Sequence, residues 1–394
     1  MVRAGRHVLC LVTVAMLGAG GSAVAGAGAV QAAPGMGRAA SGGSPAPVPG
    51  SLKGVSADSA TDAWAVGGYF NSANVGQTLI LHWNGTSWKR VRSPNPGPTS
   101  DGLGAVSAVS RTDAWAVGAT YDKSTNVTST LILHWNGTAW SQVKSPNPSA
   151  GYNVLEGVSA VSSTDAWAVG NYQTPNGLNN KSLLLHWNGT AWSKVKVPNP
   201  GASTALNGVS AVSGTDAWAV GGTYDKSTNA LSTLALHWNG TAWSRAATPT
   251  PAGNGMLSGV STLSSTGAWA IGDLALHWDG TTWSDMVLPI VSRAGFETDG
   301  VSAVSGKDVW VVGSASKNTR FRPVSTVILR WNGTAWSRVK SPSPGTTPEG
   351  GISELFAVTA VSRTDVWAVG DYSGPPTGTD ALILHWNGHA WSMS

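Results

Sequence analysis

The segment TDAWAVG, or a close variant, recurs around Trp64, Trp115, Trp167, Trp218, Trp269, Trp310 and Trp367, at spacings of 51, 52, 51, 51, 41 and 57 residues. Each copy is followed by a second motif, of which LILHWNGTAW (131–140) is one instance, and this motif carries two more tryptophans. Seven copies with three tryptophans each account for all 21 in the chain. A sustained period of this size means that one small supersecondary unit is repeated. Such a unit cannot bury its apolar faces alone and must stack on its neighbours.

Each copy divides into four short runs rich in β-branched, aromatic and small residues. In the third copy they are LEGVSAVS (155–162), DAWAVGNY (165–172), SLLLHW (182–187) and TAWSKVKV (190–197). Asn188-Gly189 separates the last two, a dipeptide that predicts a two-residue type I′ hairpin turn with positive φ at both positions. Pro-rich pieces such as SPNPG (93–97) then lead into the next copy. The runs are apolar on both faces, as expected of sheets covered on both sides. Seven four-stranded antiparallel units predict an all-β fold, a seven-bladed β-propeller with each blade built from continuous chain. The expected blades are 51–98, 99–150, 151–202, 203–254, 255–294, 295–350 and 351–394.

Composition agrees. The chain of 394 residues holds Gly 50 and only 11% charged residues, the profile of a turn-rich β protein with a neutral polar surface. Residues 1–32 read as a secretory signal peptide: a basic start (Arg3, Arg6), an apolar stretch from Val8 to Leu17, and small-residue cleavage sites near Ala32. The apolar stretch is too short to span a membrane. Cys10, the one cysteine, falls inside this leader, so the mature chain is expected to hold together without disulfides. Residues 33–50 read as a flexible Pro/Gly/Ser linker. The net charge of +4 becomes about +2 without Arg3 and Arg6, too small and too scattered for a nucleic-acid partner.

The second-strand D-A-W-A-V-G and the N-G-T-A-W hairpin resemble the units of Trp-rich secreted bacterial propellers. More distantly, they are similar to Asp-box (sialidase-type), photosystem II assembly-factor-like and kelch propellers. The likeness covers about residues 51 to 394. The Asp-box match is partial, since Gly-x-x-Trp is present and the full Ser-x-Asp-x-Gly is not. The resemblance implies that the first strand of each unit is innermost. Ring closure would then rest on packing between the first and last units. It implies nothing specific about activity, because propellers host lectins, enzymes and scaffolds alike.

Twenty-one exposed tryptophans would form apolar patches that soluble proteins avoid, so these are expected to pack between units. His82, His134, His186, His237, His277 and His385 fall one per unit, too far apart to share an ion, and no metal or other cofactor is expected. They are expected to hydrogen-bond within their own unit, with Asp62, Asp113, Asp165, Asp216 and Asp365 or with backbone groups. Gly267 replaces the aspartate in the fifth unit, and Arg330 replaces the histidine beside Asp308 in the sixth.

Function is expected where the units differ. The two-to-three loops vary, and five of them open with Tyr69, Tyr121, Tyr172, Tyr224 and Tyr372, which could stack on sugars or cap the blade ends. A second variable position lies two residues before the valine of V-S-A. It is occupied by Lys53, Gly104, Glu156, Asn207, Ser258, Asp299 and Phe356, set between nearly constant neighbours. Such a position is expected at the mouth of the central channel. No nucleophile elbow, phosphate loop or metal cluster is visible; Glu156 with Asp299 is the one carboxylate pair that would permit glycosidase chemistry. These features predict a secreted, extracellular, monomeric, non-enzymatic protein that binds polysaccharide through its variable face. The alternatives are a scaffold for an extracellular protein and a glycan-active hydrolase or lyase.

Overall fold

The computed structural model describes residues 47–251, 255–289, 295–316, 323–346, 351–373 and 378–394. The segment read as a signal peptide, most of the linker, and parts of several loops lie outside the described residues. Among the described residues there are 28 strands and no helix. The strands fall in consecutive sets of four, paired antiparallel in chain order, one set per sequence copy. Single parallel bridges, Gly76 to Ser100 and Val324 to Ile352, join two sets into one eight-stranded sheet at two places.

The first strands of the copies (Ser51–Ser59, Ser100–Ser110, Asn153–Ser162, Ser203–Ser213, Leu257–Ser264, Phe296–Ser305 and Ile352–Ser362) each touch the first strands of the copies on either side. The last also touches the first, so these strands line the centre of a closed ring, a β-propeller. A serine hydroxyl on one inner strand accepts the backbone N–H of the next, as Ser56 does from Ala108 and Ser107 from Ala160, both at 3.0 Å. The fourth strands are only three or four residues long, which leaves little free edge at the rim.

Tryptophan fills every junction. Trp64, on the second strand of its copy, lies 4.9 Å from Trp135 and meets Trp140 edge-on at 5.1 Å, both on the next copy. The same triad recurs around the ring and closes it: Trp367 of the last copy meets Trp83 and Trp88 of the first at 4.9 and 5.1 Å. The seven second-strand tryptophans are at most 2% exposed. Burying each removes about 150–250 Å² from water, roughly 4–6 kcal/mol at ~25 cal/mol/Å². The third-strand indoles donate to a carbonyl of the preceding turn, as Trp135 does to Arg111 at 3.1 Å. The core is therefore a series of shared interfaces. Trp115, Val117 and Ile132 pack with Leu155, Val158, Leu183 and Trp192 of the following copy. Leu52, Val55 and Leu79 pack with Trp367, Val369 and Ile383 across the closure.

Closure has a second component. Gly50 N–H donates to Thr379 O at 3.0 Å and Ala381 N–H to Val48 O at 2.8 Å. The end of the segment read as linker thus adds two backbone bonds to the packing between first and last copies.

The histidines stack on the second-strand tryptophan of their own copy, His82 on Trp64 at 4.2 Å. In five copies the imidazole Nε2 is 2.6–2.8 Å from the aspartate Oδ1 (Asp62, Asp113, Asp165, Asp216, Asp365). Arg330 makes the equivalent contact to Asp308 through Nε and Nη2 at 2.8 and 2.9 Å. His277 has no aspartate to meet, and burial pushes its pKa down.

The Asn-Gly turn is not type I′. Trp83 pairs with Trp88, so four residues form the loop. Only its glycine has positive φ, 93° at Gly85. The Asn84 carboxamide oxygen accepts the N–H groups of Thr86 and Ser87 at 3.1 and 3.0 Å, together with the Thr86 hydroxyl at 2.8 Å. This Asx-turn replaces the backbone turn and explains the Asn-Gly-Thr triplet. In the fifth copy Asp279 does the same, and these bonds hold its carboxyl down to about 2.

Deleting residues 357–394 removes the partners of Trp310 and uncovers Leu52 and Leu79, so the truncated chain is expected to aggregate. A soluble truncation with a cooperative melt would count against the closed ring.

Candidate binding site at the channel mouth

Each inner strand carries two β-bulges, and the residue skipped at the first of them is a variable one. Pairing jumps from Leu52 to Gly54, skipping Lys53, and likewise skips Gly104, Glu156, Asn207, Ser258, Asp299 and Phe356. The residue before each is buried, Leu in six copies and Thr298 in the sixth, whereas all seven bulged residues are half-buried. A bulge re-aims its side chain without breaking the strand. Here it sets apart one half-buried residue per copy on the innermost strand, the candidate channel-mouth position, while its neighbours keep the blade core intact.

The sequence provides for this bulge through the glycine that ends AWAVG. At Gly118, a Cβ would lie 2.0 Å from the carbonyl oxygen of Gly102 on the bulged strand. No side chain fits there, so glycine recurs in every copy although its φ is ordinary.

The bulged residues form two groups. On one side of the mouth, Lys53 places its Nζ 3.3 Å from the centroid of the Phe356 ring and 3.9 Å from Asp371 Oδ2. Asp299 belongs to this group: burial, then Glu297 and Glu354, push its carboxyl up to about 7, while Lys53 pulls it down. On the other side stands Glu156, pushed up to about 7 by burial. Its charge, after burial, contributes to raising the Tyr152 hydroxyl. Gly104, beside Glu156, has room for a Cβ, which would meet the Leu155 and Glu156 carbonyl oxygens at an ordinary contact distance of 3.5 Å. Asn207 is engaged, donating through Nδ2 to Leu257 O at 2.7 Å. Ser258 completes the set, between Asn207 and Asp299 in chain order.

The two shifts have different causes: burial for Glu156, and burial with Glu297 and Glu354 for Asp299. Among the described residues no group of three or more His, Cys, Asp or Glu side chains could hold a metal ion.

The tyrosines lie at the ends of the second strands, on the same face as the bulges, and all five are half-buried. Arg90 covers the Tyr69 ring at 4.0 Å and Lys194 covers Tyr172 at 4.3 Å. Tyr121 and Tyr224 donate to Asn126 and Asn229 within their loops, at 3.1 and 2.7 Å. Tyr372 packs against the core shared by the sixth and seventh copies. The tyrosines are one per copy and are not brought together. The loops SKNTRFRPVS (316–325) and YSGPPTGTD (372–380) lie largely outside the described residues, as does Glu349.

Sequence reasoning missed Tyr152, Glu297, Glu354 and Asp371 as members of the mouth. Glu297 and Glu354 occupy the same register, two residues before the bulge, and that register was the available signal.

No family model and no curated protein matches the chain. Among solved structures it is similar to YCF48 bound to D1 peptide, with 14% identity, 86% of this chain and 93% of that chain covered, and a TM-score of 0.53. It is also similar to a mutant puromycin hydrolase complexed with PGG, at 10% identity, 87% and 53% coverage, and a TM-score of 0.56. The β-propeller domain of the Trilobed protease from Pyrococcus furiosus matches at 8% identity, 87% and 96% coverage, and a TM-score of 0.46. At these identities the likeness is one of fold.

A carboxyl whose pKa is raised on folding favours the native state at low pH and disfavours it as pH rises from about 4 to about 7. Glu156→Gln and Asp299→Asn are therefore expected to melt about 2–4 °C above the parent at pH 8 and level with it at pH 4.5. Variants that melt below the parent at pH 8 would contradict this account of the mouth.

Proposed function

We propose that the chain is a secreted, monomeric, seven-bladed propeller without catalytic activity, which binds an extended segment of a protein partner at its channel mouth. The observation that carries this reading is the coincidence, in every copy, of a variable position set between nearly constant neighbours with the first of the two bulges of the inner strand. Seven different residues on a repeated frame make one asymmetric surface, as a single partner requires. Equivalent weak sites would call for seven similar residues. The YCF48 structure, similar in fold, contains a bound peptide, so a ring of this kind is able to present a peptide site.

Polysaccharide binding through the variable face is the second reading, supported by the five tyrosines at equivalent places. It has less support, because Arg90 and Lys194 already lie over the rings of Tyr69 and Tyr172.

The test is capture of the chain on arrays of mixed-sequence peptides, and on insoluble polysaccharides and peptidoglycan. Gly104→Trp adds a bulky ring beside Glu156 and is expected to abolish peptide capture with the melting temperature retained. Changing Tyr69, Tyr121, Tyr172 and Tyr224 to alanine is expected to leave it intact. Undiminished peptide capture by Gly104→Trp would remove the mouth from the proposal. Capture by glycan, lost in the tyrosine variant, would establish the second reading instead.

A further inference from the structure

Around the ring closure the mouth already holds a cation of its own. Lys53, from the first copy, reaches across the junction with the last and sits over the face of Phe356, Nζ 3.3 Å from the centroid. Asp371 Oδ2 is 3.9 Å from the same ammonium. Asp299 lies within its field, and Glu297 and Glu354 lie within the field of Asp299. An aromatic face backed by several carboxylates is the chemistry that receives an organic ammonium or guanidinium group.

The contact with Asp371 has few marks of a structural pair. The sixth copy shows what such a pair looks like: Arg330 holds a buried Asp308 through two hydrogen bonds of 2.8 and 2.9 Å. Lys53 instead has a 38% exposed side chain and approaches Asp371 at the outer limit of an ion pair, where the interaction contributes little. Its backbone is the bulged residue, outside the ladder, so the strand does not depend on where the side chain lies. Phe356 is the one aromatic ring at a position where the other copies carry Lys, Gly, Glu, Asn, Ser or Asp.

Building on the channel-mouth reading, we propose that Phe356, Asp371, Asp299 and Glu354 form a receptor for a cationic group of the ligand, a lysine or arginine side chain or an amino terminus, and that Lys53 is its built-in occupant. The ligand's cation takes the place of the Lys53 ammonium over Phe356, and Lys53 swings into solvent on its flexible four-carbon stem. The carboxylates then lose their internal partner and gain the incoming charge. An aromatic face selects organic cations over calcium and magnesium ions, which are hard and take oxygen ligands. The occupant sets a threshold: a partner binds only by outcompeting a cation tethered at high local concentration.

The probe is acetylated, amidated tetralysine, titrated calorimetrically into the full-length chain at low ionic strength. Lys53→Ala removes the competitor and is expected to tighten binding about tenfold. Lys123→Ala, the same charge change on an exposed loop, is expected to tighten it less than twofold. Adding Phe356→Leu to Lys53→Ala is expected to reverse the gain, with melting temperatures compared to confirm that each variant is folded. Weaker or unchanged binding in Lys53→Ala, or no loss on adding Phe356→Leu, overturns the proposal. If a neutral Ser-Gly peptide binds and is lost in Gly104→Trp while Lys53→Ala changes nothing for tetralysine, the cation receptor fails and the mouth reading stands. If no peptide of any charge binds the parent or Lys53→Ala, both fail.

Discussion

The structure depends on one repeated contact, the meeting of a second-strand indole with two indoles of the next copy. Trp64 with Trp135 and Trp140 is one instance, and Trp367 with Trp83 and Trp88 is the one that closes the ring. With no disulfide possible from a single cysteine, apolar burial must do the work of cross-links. A large rigid ring suits this role, because it fills the wedge between two twisted sheets at little cost in side-chain entropy. The second-strand and fourth-strand indole N–H groups find no hydrogen-bond acceptor there. They lie in edge-to-face contacts, where an N–H can meet a π-face. The histidine stacked on the other side, tied to its aspartate, completes the sandwich and fixes the orientation of the indole.

That packing confines variation to places that it does not touch. The inner strand buries the residue before the bulge, leucine in six copies and Thr298 in the sixth, against the packed framework. The bulge behind Gly118 and its equivalents detaches the next residue from both the ladder and the core, and that residue is free to be Lys, Glu, Phe or nothing. The same division explains the tyrosines. They sit at the ends of strands that belong to the packed framework, and so their rings are drawn into contacts with Arg90, Lys194 and the loop asparagines.

Much of this was legible in the sequence. The period and the four runs per copy follow from residues that recur, and the inner position of the first strand from the resemblance to known propellers; the structure places them so. For the histidines the sequence left aspartate and backbone partners open, and in five copies the partner is the aspartate. Variation between nearly constant neighbours singled out Lys53 and its equivalents, which the structure places at the first bulge of each inner strand. The bulge itself was not legible, since an extra residue in a strand leaves no mark on a pattern already apolar on both faces. The Asn-Gly dipeptide misled for a physical reason. The side chain of asparagine can close a turn itself, and the threonine and alanine after it belong to the loop, not to the strand. Glu297, Glu354 and Asp371 were obscured because the groups that gather around Lys53 come from different copies and meet only when the ring closes.

The closing junction uses the same tryptophan triad as every other, with only Val48–Gly50 added. The ring therefore has almost no seam, and the site of the chain termini is nearly arbitrary with respect to the fold. A circular permutant opened between any two copies would keep every interface of the parent. Copies of one gene segment could accordingly be reordered without rebuilding the core, while the sequence of channel residues around the mouth, and with it the identity of the surface, would change with each rearrangement.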